Sequence, residues 1–223
     1  MKTVLLTGSN GFLGEKIKNF LSDQGHLIIL PLRTLEKKTY KKGNFIFLKK
    51  PQSKKEFYSL FNKYKIQYVI HCAGYYVRNH QFSDIEKLID CDINYFNNLL
   101  DSMAKFNCKK LITFGTYFQF FSNNKFSPKS LYAAYKQLMF TLSKYYYLQF
   151  SINHIQLILF DTYGSYDYRD KIIPTLINLS PSKELKLGNK KNLFFPLHVD
   201  DLLNGIKTSM NLLDYKKKNL CAV

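Results

Sequence analysis

The chain has 223 residues, with 33 Lys and Arg against 16 Asp and Glu, which gives a formal net charge of +17. Hydrophobic residues make up 46% of it, enough for a buried core, so a generally disordered chain is excluded. With only 10 Gly and 6 Pro, collagen-like and low-complexity classes are excluded as well. The length corresponds to one domain with a smaller appendage.

Lysine supplies nearly all of the positive charge, because only Arg33, Arg78 and Arg169 are arginines. Proteins that read nucleic-acid bases favour the planar fork of Arg. We therefore interpret the excess mainly as a drift in composition, next as a patch for anionic small molecules, and least as a nucleic-acid interface. The four cysteines lack metal-ligand spacing, so no metal site is predicted. Without a signal peptide or a membrane-length apolar run, we expect a soluble, cytoplasmic protein with no membrane contact.

Short apolar runs alternate with longer amphipathic segments along the first 160 residues. The runs predicted as strands are Val4–Leu6, Leu27–Leu32, Phe45–Leu48, Tyr68–Cys72, Leu111–Phe114 and Ile155–Phe160. The segments predicted as helices are Leu13–Gln24, Lys54–Tyr64, Phe96–Phe106 and Leu131–Phe150, with a last helix beginning near Asp200. This alternation predicts an α/β fold in which helices cover both faces of a parallel sheet. The lysine-rich stretches Lys37–Lys42 and Lys49–Lys55 fall in predicted connections.

A glycine-rich loop, Thr7–Gly14, follows the first strand directly and opens the first helix. Gly8, Gly11 and Gly14 are spaced three apart, which permits a tight turn, close approach of backbone to a pyrophosphate, and close packing of helix on strand. The helix N-terminus adds free N–H groups and a positive dipole. The loop therefore predicts a dinucleotide site.

The end of the second strand bears on which dinucleotide binds. Sites that prefer NAD usually carry an acid there, whereas this strand ends in Pro31, Leu32 and Arg33. Arg33 is suited to the 2′-phosphate of NADP(H), which we predict in preference to NAD(H). A solvated Arg33 is the alternative, and Glu36 close by leaves the question open.

Tyr132 and Lys136 are four residues apart in a predicted helix and therefore share one face. A nearby ammonium lowers the pKa of a phenol, which suits Tyr132 to proton transfer near neutral pH. Alone, such a pair would more often be a surface pair. The glycine loop upstream favours the catalytic interpretation.

Taken in order, these motifs resemble the extended short-chain dehydrogenase/reductase superfamily, in particular its NAD-dependent epimerase/dehydratase branch that modifies nucleotide sugars. The resemblance is carried by the glycine loop, His71–Gly74, Asn94, Thr116, the Tyr132/Lys136 pair and Val199–Asp201. It implies a Rossmann-type doubly wound parallel sheet with a small C-terminal substrate lobe. Because relatives continue beyond this length, we expect that lobe to be truncated.

The resemblance also implies roles for individual residues. Tyr132 is the expected general acid/base, Lys136 tunes it and binds the nicotinamide ribose, and Thr116 bonds the reacting oxygen. A strand-end hydroxyl that satisfies local backbone is the alternative for Thr116, and Asn94 is expected to support the site through a helix hydrogen bond. The implied cofactor residues are Gly8, Gly11, Phe12, Leu13, Gly14, Arg33, Ala73, Gly74 and Lys136. The implied substrate residues are Thr116, Asp161, Arg169 and Lys171.

The residues after Thr116 narrow the expected reaction. The 4,6-dehydratases of the branch carry an Asp-Glu pair there, whereas this chain has Tyr117 and Phe118, so dehydration is not expected. The pattern is similar to reductases of nucleotide-linked 4-keto-6-deoxyhexoses, such as abequose and paratose synthases. A C4 epimerase with bound NAD, or a non-catalytic dinucleotide-binding or RNA-associated protein, are the alternatives.

The resemblance divides the chain into an NAD(P)-binding domain, 1–160, and a partial substrate lobe, 161–223, interleaved with the last strands of the sheet. A nucleotide-diphosphate sugar is the expected partner, with Arg169 and Lys171 near its diphosphate, or else as ordinary loop charges. A homodimer is expected to form through the helix 131–150. His71 is expected to pack beside the cofactor, and Asp200 or Asp201 to cap the last helix.

Overall fold

The structure is a computed structural model that describes residues 1–35, 39–77, 79–120, 126–179, 194–215 and 221–222. The predictions that concern Glu36 lie outside these residues. In the described part of the chain, no helix is both long enough and apolar enough to cross a membrane.

Strands and helices alternate along the chain. The strands are β1 (Thr3–Thr7), β2 (Leu27–Leu32), β3 (Tyr40–Lys42), β4 (Phe45–Lys49), β5 (Tyr68–His71), β6 (Lys110–Thr116), β7 (Asn153–Leu159), β8 (Asp161–Tyr163), β9 (Pro196–His198) and β10 (Cys221–Ala222). The helices are α1 (Phe12–Asp23), α2 (Lys54–Tyr64), α3 (Asp84–Leu88), α4 (Tyr95–Lys105), α5 (Leu131–Phe150), α6 (Ile172–Ile177) and α7 (Val199–Tyr215).

Among the described residues, the main sheet has eight strands in the order β10-β7-β6-β5-β1-β2-β4-β3. All pairs are parallel except β3 with β4. The chain proceeds outward from β1 in both directions, so a crevice opens at the carboxyl ends of β1 and β5, where α/β sheets bind ligands. The predicted Rossmann-type fold is confirmed.

Helices cover both faces of this sheet because each buries one apolar side. On one face, Ile17 and Leu21 of α1 pack with Ile206 and Met210 of α7. On the other, residues of α2, α4 and α5 form the second core cluster with the sheet, including Phe57, Phe96, Leu99 and Met139. Ser53 and Ser130 cap α2 and α5, since each hydroxyl accepts a backbone N–H of the first turn.

The predicted connections contain more regular structure than expected. Within Lys37–Lys42, Tyr40–Lys42 forms the exposed edge strand β3, and within Lys49–Lys55 the last two lysines begin α2. Charged residues are typical of a sheet edge, where only one side of the strand is paired. The predicted helix Phe96–Phe106 begins earlier than expected, because α3, a π-helical turn (Ile89–Asn94) and α4 follow one another without a break.

Beyond residue 160, the chain contributes to two separate sheets. β8 and β9 pair in parallel as a small sheet of their own, whereas α7 packs on α1 and β10 pairs with β7 of the main sheet. The prediction that Asp200 or Asp201 caps the last helix is wrong. α7 begins at Val199, and Nδ1 of His198 accepts the N–H of Asp200, so both aspartates lie within the first turn.

Candidate active site

The glycine loop forms a tight turn against the end of β5. Gly8 has a φ of +73°, and a Cβ there would lie 2.6 Å from the backbone N of Ala73. A Cβ on Gly14 would overlap the Gly8 carbonyl, so the helix starts in direct contact with the turn. At Gly11, by contrast, the nearest atom to a Cβ would be the Gly8 carbonyl at 3.6 Å. Gly8 and Gly14 are therefore required by packing, and Gly11 leaves space beside the loop.

That space belongs to a cavity of about 390 Å³ at the carboxyl edge of the sheet. The residues predicted for the cofactor that line it are Gly8, Gly11, Arg33, Ala73 and Gly74. Ser9 also lines it, and its buried Oγ has no hydrogen-bond partner among the described residues. A glycine turn that leads into a helix N-terminus, with an unpaired buried hydroxyl beside it, fits the pyrophosphate of a dinucleotide.

Two cations lie at the far end of the cavity, where β2 and β4 terminate. Arg33 follows β2, and Lys50 follows β4 with its N–H donating to the Leu32 carbonyl at 2.8 Å. Lys50 Nζ also lies 4.3 Å from the centre of the Tyr95 ring. Sequence reasoning identified Arg33 but missed Lys50, because a lysine in a lysine-rich stretch carries no local signal.

Phe12 and Leu13, also predicted for the cofactor, lie in the first turn of α1. The Phe12 ring packs under the Arg169 guanidinium, whose carbon lies 4.3 Å from the ring centre. Leu13 packs against the core cluster under α1 and α7. Neither residue is among those that line the cavity described above.

Thr116 ends β6 and is almost fully buried. Its Oγ1 accepts the N–H of Phe118 at 3.4 Å, and its own N–H donates to Gln119 Oε1 at 2.8 Å. The local backbone role considered for this hydroxyl is therefore present. Since an oxygen that accepts one bond can still donate its proton, the Thr116 hydroxyl retains the capacity to bond a substrate oxygen.

Tyr132 and Lys136 share one face of α5, and Lys136 Nζ lies 5.3 Å from the centre of the Tyr132 ring. The Tyr76 ring packs edge-on against Tyr132 at 5.2 Å. Burial raises the pKa of Tyr132 above its usual range and outweighs the opposite effect of Lys136. The expectation of a lowered pKa is thus not met in the protein alone, where the phenol is protonated at neutral pH.

Lys136 is buried and paired with Asp92, a residue that the sequence did not single out. Asp92 is fully buried in the π-helical turn, and its Oδ1 lies 3.3 Å from Lys136 Nζ. Burial lowers the pKa of Lys136, but the charges of Asp92 and Tyr132 outweigh it and raise that pKa overall. Gly74 completes the contact, since a Cβ there would lie 2.8 Å from Lys136 Nζ.

Asn94, by contrast, is exposed and donates from Nδ2 to Asp90 Oδ1 at 2.9 Å. It makes the expected hydrogen bond within the helix, but Asp92 is the member of this turn that reaches the lysine. The π-helical turn accounts for the difference, because its wider spacing changes which residues face the sheet.

Apart from Thr116, the predicted substrate residues lie around β8 and the loop after it. Asp161 accepts a hydrogen bond from the Tyr117 hydroxyl at 3.2 Å and lies 3.8 Å from Lys171 Nζ. Lys171 Nζ also lies 4.9 Å from the Tyr76 ring centre. Because Tyr76 packs on Tyr132, Asp161 and Lys171 are connected to Tyr132 through the Tyr76 ring.

Arg169 is held by its own loop. Its guanidinium donates to both carboxylate oxygens of Asp167, at 2.7 and 2.8 Å, and to the Thr162 carbonyl at 2.8 Å. This geometry is that of an arginine that fixes a loop. For Arg169 to contact a diphosphate, some of its hydrogen bonds to Asp167 and Thr162 would have to be replaced by bonds to phosphate oxygens.

His71 is buried at the end of β5, next to the glycine loop. Its Nδ1 and the Thr7 hydroxyl are hydrogen-bonded at 2.9 Å, and Thr7 Oγ1 accepts the N–H of Ala73. The imidazole packs against Phe96, with ring centres 4.9 Å apart. Burial lowers the pKa of His71 well below its usual range, so the ring is neutral.

The switch-point crevice, the glycine loop at a helix N-terminus and the Tyr/Lys pair at the same edge define a Rossmann-type fold with a dinucleotide-type cavity. At the level of sequence, residues 4–220 match the family model of the NAD dependent epimerase/dehydratase family. The chain belongs to this family.

Two curated relatives align along most of the chain. One is the dTDP-D-glucose 4,6-dehydratase of Dictyostelium discoideum, 27% identical over 92% of this chain and 54% of the relative. Another is the CDP-abequose synthase of Salmonella muenchen, 26% identical over 92% of this chain and 68% of the relative. The chain thus spans between about half and two thirds of the length of these two relatives.

Solved structures share the fold at lower identity. The UDP-glucose 4-epimerase of Brucella ovis, in complex with NAD, has a TM-score of 0.81 and is 18% identical, covering 100% of this chain and 77% of that one. The UDP-glucose 4-epimerase of Thermotoga maritima, with UDP-glucose, has a TM-score of 0.78 and is 19% identical, covering 99% and 75%.

Proposed function

We propose that this chain is an NADPH-dependent reductase of a nucleotide-activated sugar, with a 4-keto-6-deoxyhexose as the sugar. The observation that carries the proposal is the protonated, half-buried Tyr132 beside the buried ammonium of Lys136, which lies against Gly74 in the lining of the glycine-loop cavity. A carbonyl reduction needs a proton donor at this point. Tyr132 holds its proton at neutral pH, and the Lys136 ammonium beside it favours the phenolate that forms when that proton is transferred.

Thr116, Tyr132 and Lys136 would each have a separate role in the reduction of the carbonyl group. Bound NADPH would supply the hydride to the carbonyl carbon. Thr116 would hold the carbonyl oxygen through its hydroxyl proton, and Tyr132 would donate its phenolic proton to that oxygen as the hydroxyl forms. The Lys136 ammonium would bond the nicotinamide ribose and stabilise the phenolate that remains until solvent reprotonates it.

The proposed preference for NADPH rests on the charge at the far end of the cavity. Arg33 and Lys50 line it together, and both can form charge-assisted hydrogen bonds with a 2′-phosphate. The similar structure from Brucella ovis contains NAD. NADH is therefore the cofactor against which the preference has to be measured.

The proposed substrate class follows from the residues after Thr116 and from the relatives. Tyr117 and Phe118 stand where elimination of water would need a carboxylate pair, and one relative bears the name CDP-abequose synthase. We propose Asp161, Lys171 and Thr116 as substrate-side residues, with Arg169 beside the diphosphate if its bonds to Asp167 exchange.

The direct test is NADPH oxidation measured with a panel of nucleotide-linked 4-keto-6-deoxyhexoses. We expect stoichiometric NADPH consumption with at least one member, and a rate lowered by about a hundredfold or more in Tyr132→Phe. Tyr135→Phe, on the same helix, is the matched control. Tight NADPH binding without turnover of any member would instead favour a non-catalytic dinucleotide-binding protein.

A C4 epimerase is the second candidate, because several solved structures with this fold are UDP-glucose 4-epimerases. An epimerase returns the hydride to the sugar, so it keeps its cofactor and consumes none. Purified protein that retains NAD and interconverts two nucleotide sugars without added cofactor would decide for this candidate.

A homodimer through α5 is also proposed. The helix exposes Leu138, Tyr145, Leu148 and Phe150, an apolar surface that a second copy would cover. Sedimentation velocity of the wild type and of Leu148→Glu tests it, since the charge would shift a dimer to monomer. We also propose that the division into 1–160 and 161–223 reflects cofactor-side and substrate-side functions.

A further inference from the structure

A buried carboxylate lies directly behind the proposed catalytic lysine. Asp92 is 0% exposed, and its Oδ1 lies 3.3 Å from Lys136 Nζ. Its Oδ2 has no hydrogen-bond partner among the described residues. A fully buried carboxylate with one unpaired oxygen is costly to the fold, and the ion pair with Lys136 is what offsets that cost.

The pair is placed so that Asp92 acts on Tyr132 through Lys136. Lys136 is buried between the carboxylate, Gly74 and the Tyr132 ring. With Asp92 ionised, the pair carries no net charge, so the ammonium favours the phenolate less than an unpaired ammonium would. The negative charge of Asp92 accordingly acts to raise the pKa of Tyr132.

The other titratable groups around the pair come from neighbouring elements. They are His71, Cys72 and Tyr76 on and after β5, Cys91 in the π-helical turn, Lys50 after β4, and Arg169 in the loop after β8. Burial keeps the imidazole neutral and raises the pKa of both thiols, that of Cys72 to about 11. Burial also raises the pKa of Asp92, against the opposing effect of Lys136, and ionised Asp92 is the negative charge that contacts Lys136.

We infer that Asp92 is a positioning residue that anchors the Lys136 ammonium and sets the upper pH limit at which Tyr132 still holds its proton. The inference rests on the proposed function, in which Tyr132 donates that proton. It assigns Asp92 two effects that different substitutions separate. Asp92→Asn removes the charge and keeps an oxygen that can accept from Lys136, whereas Asp92→Ala removes both.

The test compares these two variants with wild type in the reductive assay over a range of pH. Asp92→Asn should keep kcat within about threefold at low pH but lose activity at a pH lower by about one unit, because the uncompensated ammonium favours phenolate. Asp92→Ala should have a kcat lowered by about tenfold with KM little changed. Asp92→Asn, which keeps an acceptor for Lys136, should have a kcat close to that of the wild type at low pH. Glu86→Gln, an exposed carboxylate in α3, is the matched control and should follow the wild type.

A profile of Asp92→Asn that coincides with the wild type overturns the effect on Tyr132. Equal kcat values for wild type and Asp92→Ala overturn the anchoring. If Asp92→Ala fails to fold, the Asn profile decides alone. NMR titration of tyrosine labelled at Cζ, with the Tyr132 signal assigned by its loss in Tyr132→Phe, measures the shift in the free protein. A shifted signal without turnover in any variant would sustain the inference while the proposed function fails.

Discussion

Lys110 Nζ lies 2.6 Å from Asp214 Oδ1, so the end of α7 is bound to the beginning of β6. Asp214 also accepts hydrogen bonds from Lys2 and from the Tyr68 hydroxyl, which come from the start of the chain and from β5. One carboxylate near the end of the last helix therefore connects three parts of the molecule that are far apart in sequence.

This arrangement predicts a specific loss of stability in acid. Burial raises the pKa of Asp214, but the bonds from Lys110, Lys2 and Tyr68 together outweigh it and lower that pKa to about 2. Because the folded pKa lies below the unfolded value of 3.8, the stabilisation is complete above pH 4 and is lost as pH falls toward 2. Asp214→Asn should lower the free energy of unfolding by about 1–2 kcal/mol at pH 7, after allowance for partial exposure.

Urea denaturation at neutral pH and near pH 3 measures the effect. The difference between wild type and Asp214→Asn should shrink at the lower pH, because Asp214 binds a proton in the unfolded chain before it does so in the folded protein, which favours unfolding of the wild type. Asp23→Asn, an exposed aspartate at the end of α1, is the control and should show no such difference. An equal difference at both pH values would contradict the prediction.

Replacement of a loop glycine by alanine should affect stability at Gly14 and cofactor binding at Gly11. Gly14→Ala places a methyl group against the Gly8 carbonyl and should cost about 1–3 kcal/mol of stability. Gly11 has a φ of −80° and free space around it, so Gly11→Ala should leave stability within about 0.5 kcal/mol of wild type. Its methyl group would instead occupy the cavity and weaken NADPH binding.

Thermal denaturation and fluorescence titration with NADPH separate these effects. We expect Gly14→Ala to unfold at lower temperature, and Gly11→Ala to unfold normally with weakened binding. Normal affinity in Gly11→Ala would show that the pyrophosphate does not approach this part of the loop.

Local patterns predicted β1, the turn of the glycine loop and α1, because these elements are encoded by adjacent residues. Two features were beyond such patterns. Asp92 reaches Lys136 only because a π-helical turn changes the facing residues, and no spacing rule pointed to that turn. Arg169 looked available for a ligand, whereas the fold turns Asp167 toward it, directly after Tyr166, which has a φ of +61°. The strand β3 was missed because exposed lysines at a sheet edge resemble a loop.

The two cations at the end of the cavity predict a change in cofactor selectivity. Arg33→Ala and Lys50→Ala should each weaken NADPH binding by about tenfold, the loss typical of one charge-assisted hydrogen bond, and change NADH binding little. Lys41→Ala removes an exposed charge on β3 and is the control for net charge. Dissociation constants for both cofactors at fixed ionic strength decide the matter, and an equal loss for NADH would show that neither residue recognises a 2′-phosphate.

Burial of His154 should cause stability to fall in a second pH range, which is less acidic than that of Asp214. The ring is fully buried in β7, its Nε2 bonds the Thr113 hydroxyl at 2.8 Å, and burial lowers its pKa to about 3. Because the unfolded value is 6.5, the neutral ring stabilises the fold fully above that pH, and stability is lost as pH falls from 6.5 toward 3. The slope contributed by this one group is at most about 1.4 kcal/mol per pH unit.

His154→Gln should be less stable at pH 7 but show a flatter decline between pH 6.5 and 4, measured by urea denaturation at each pH. His80→Gln, at an exposed histidine, should keep the wild-type slope, and a wild-type slope in His154→Gln would place the acid sensitivity elsewhere.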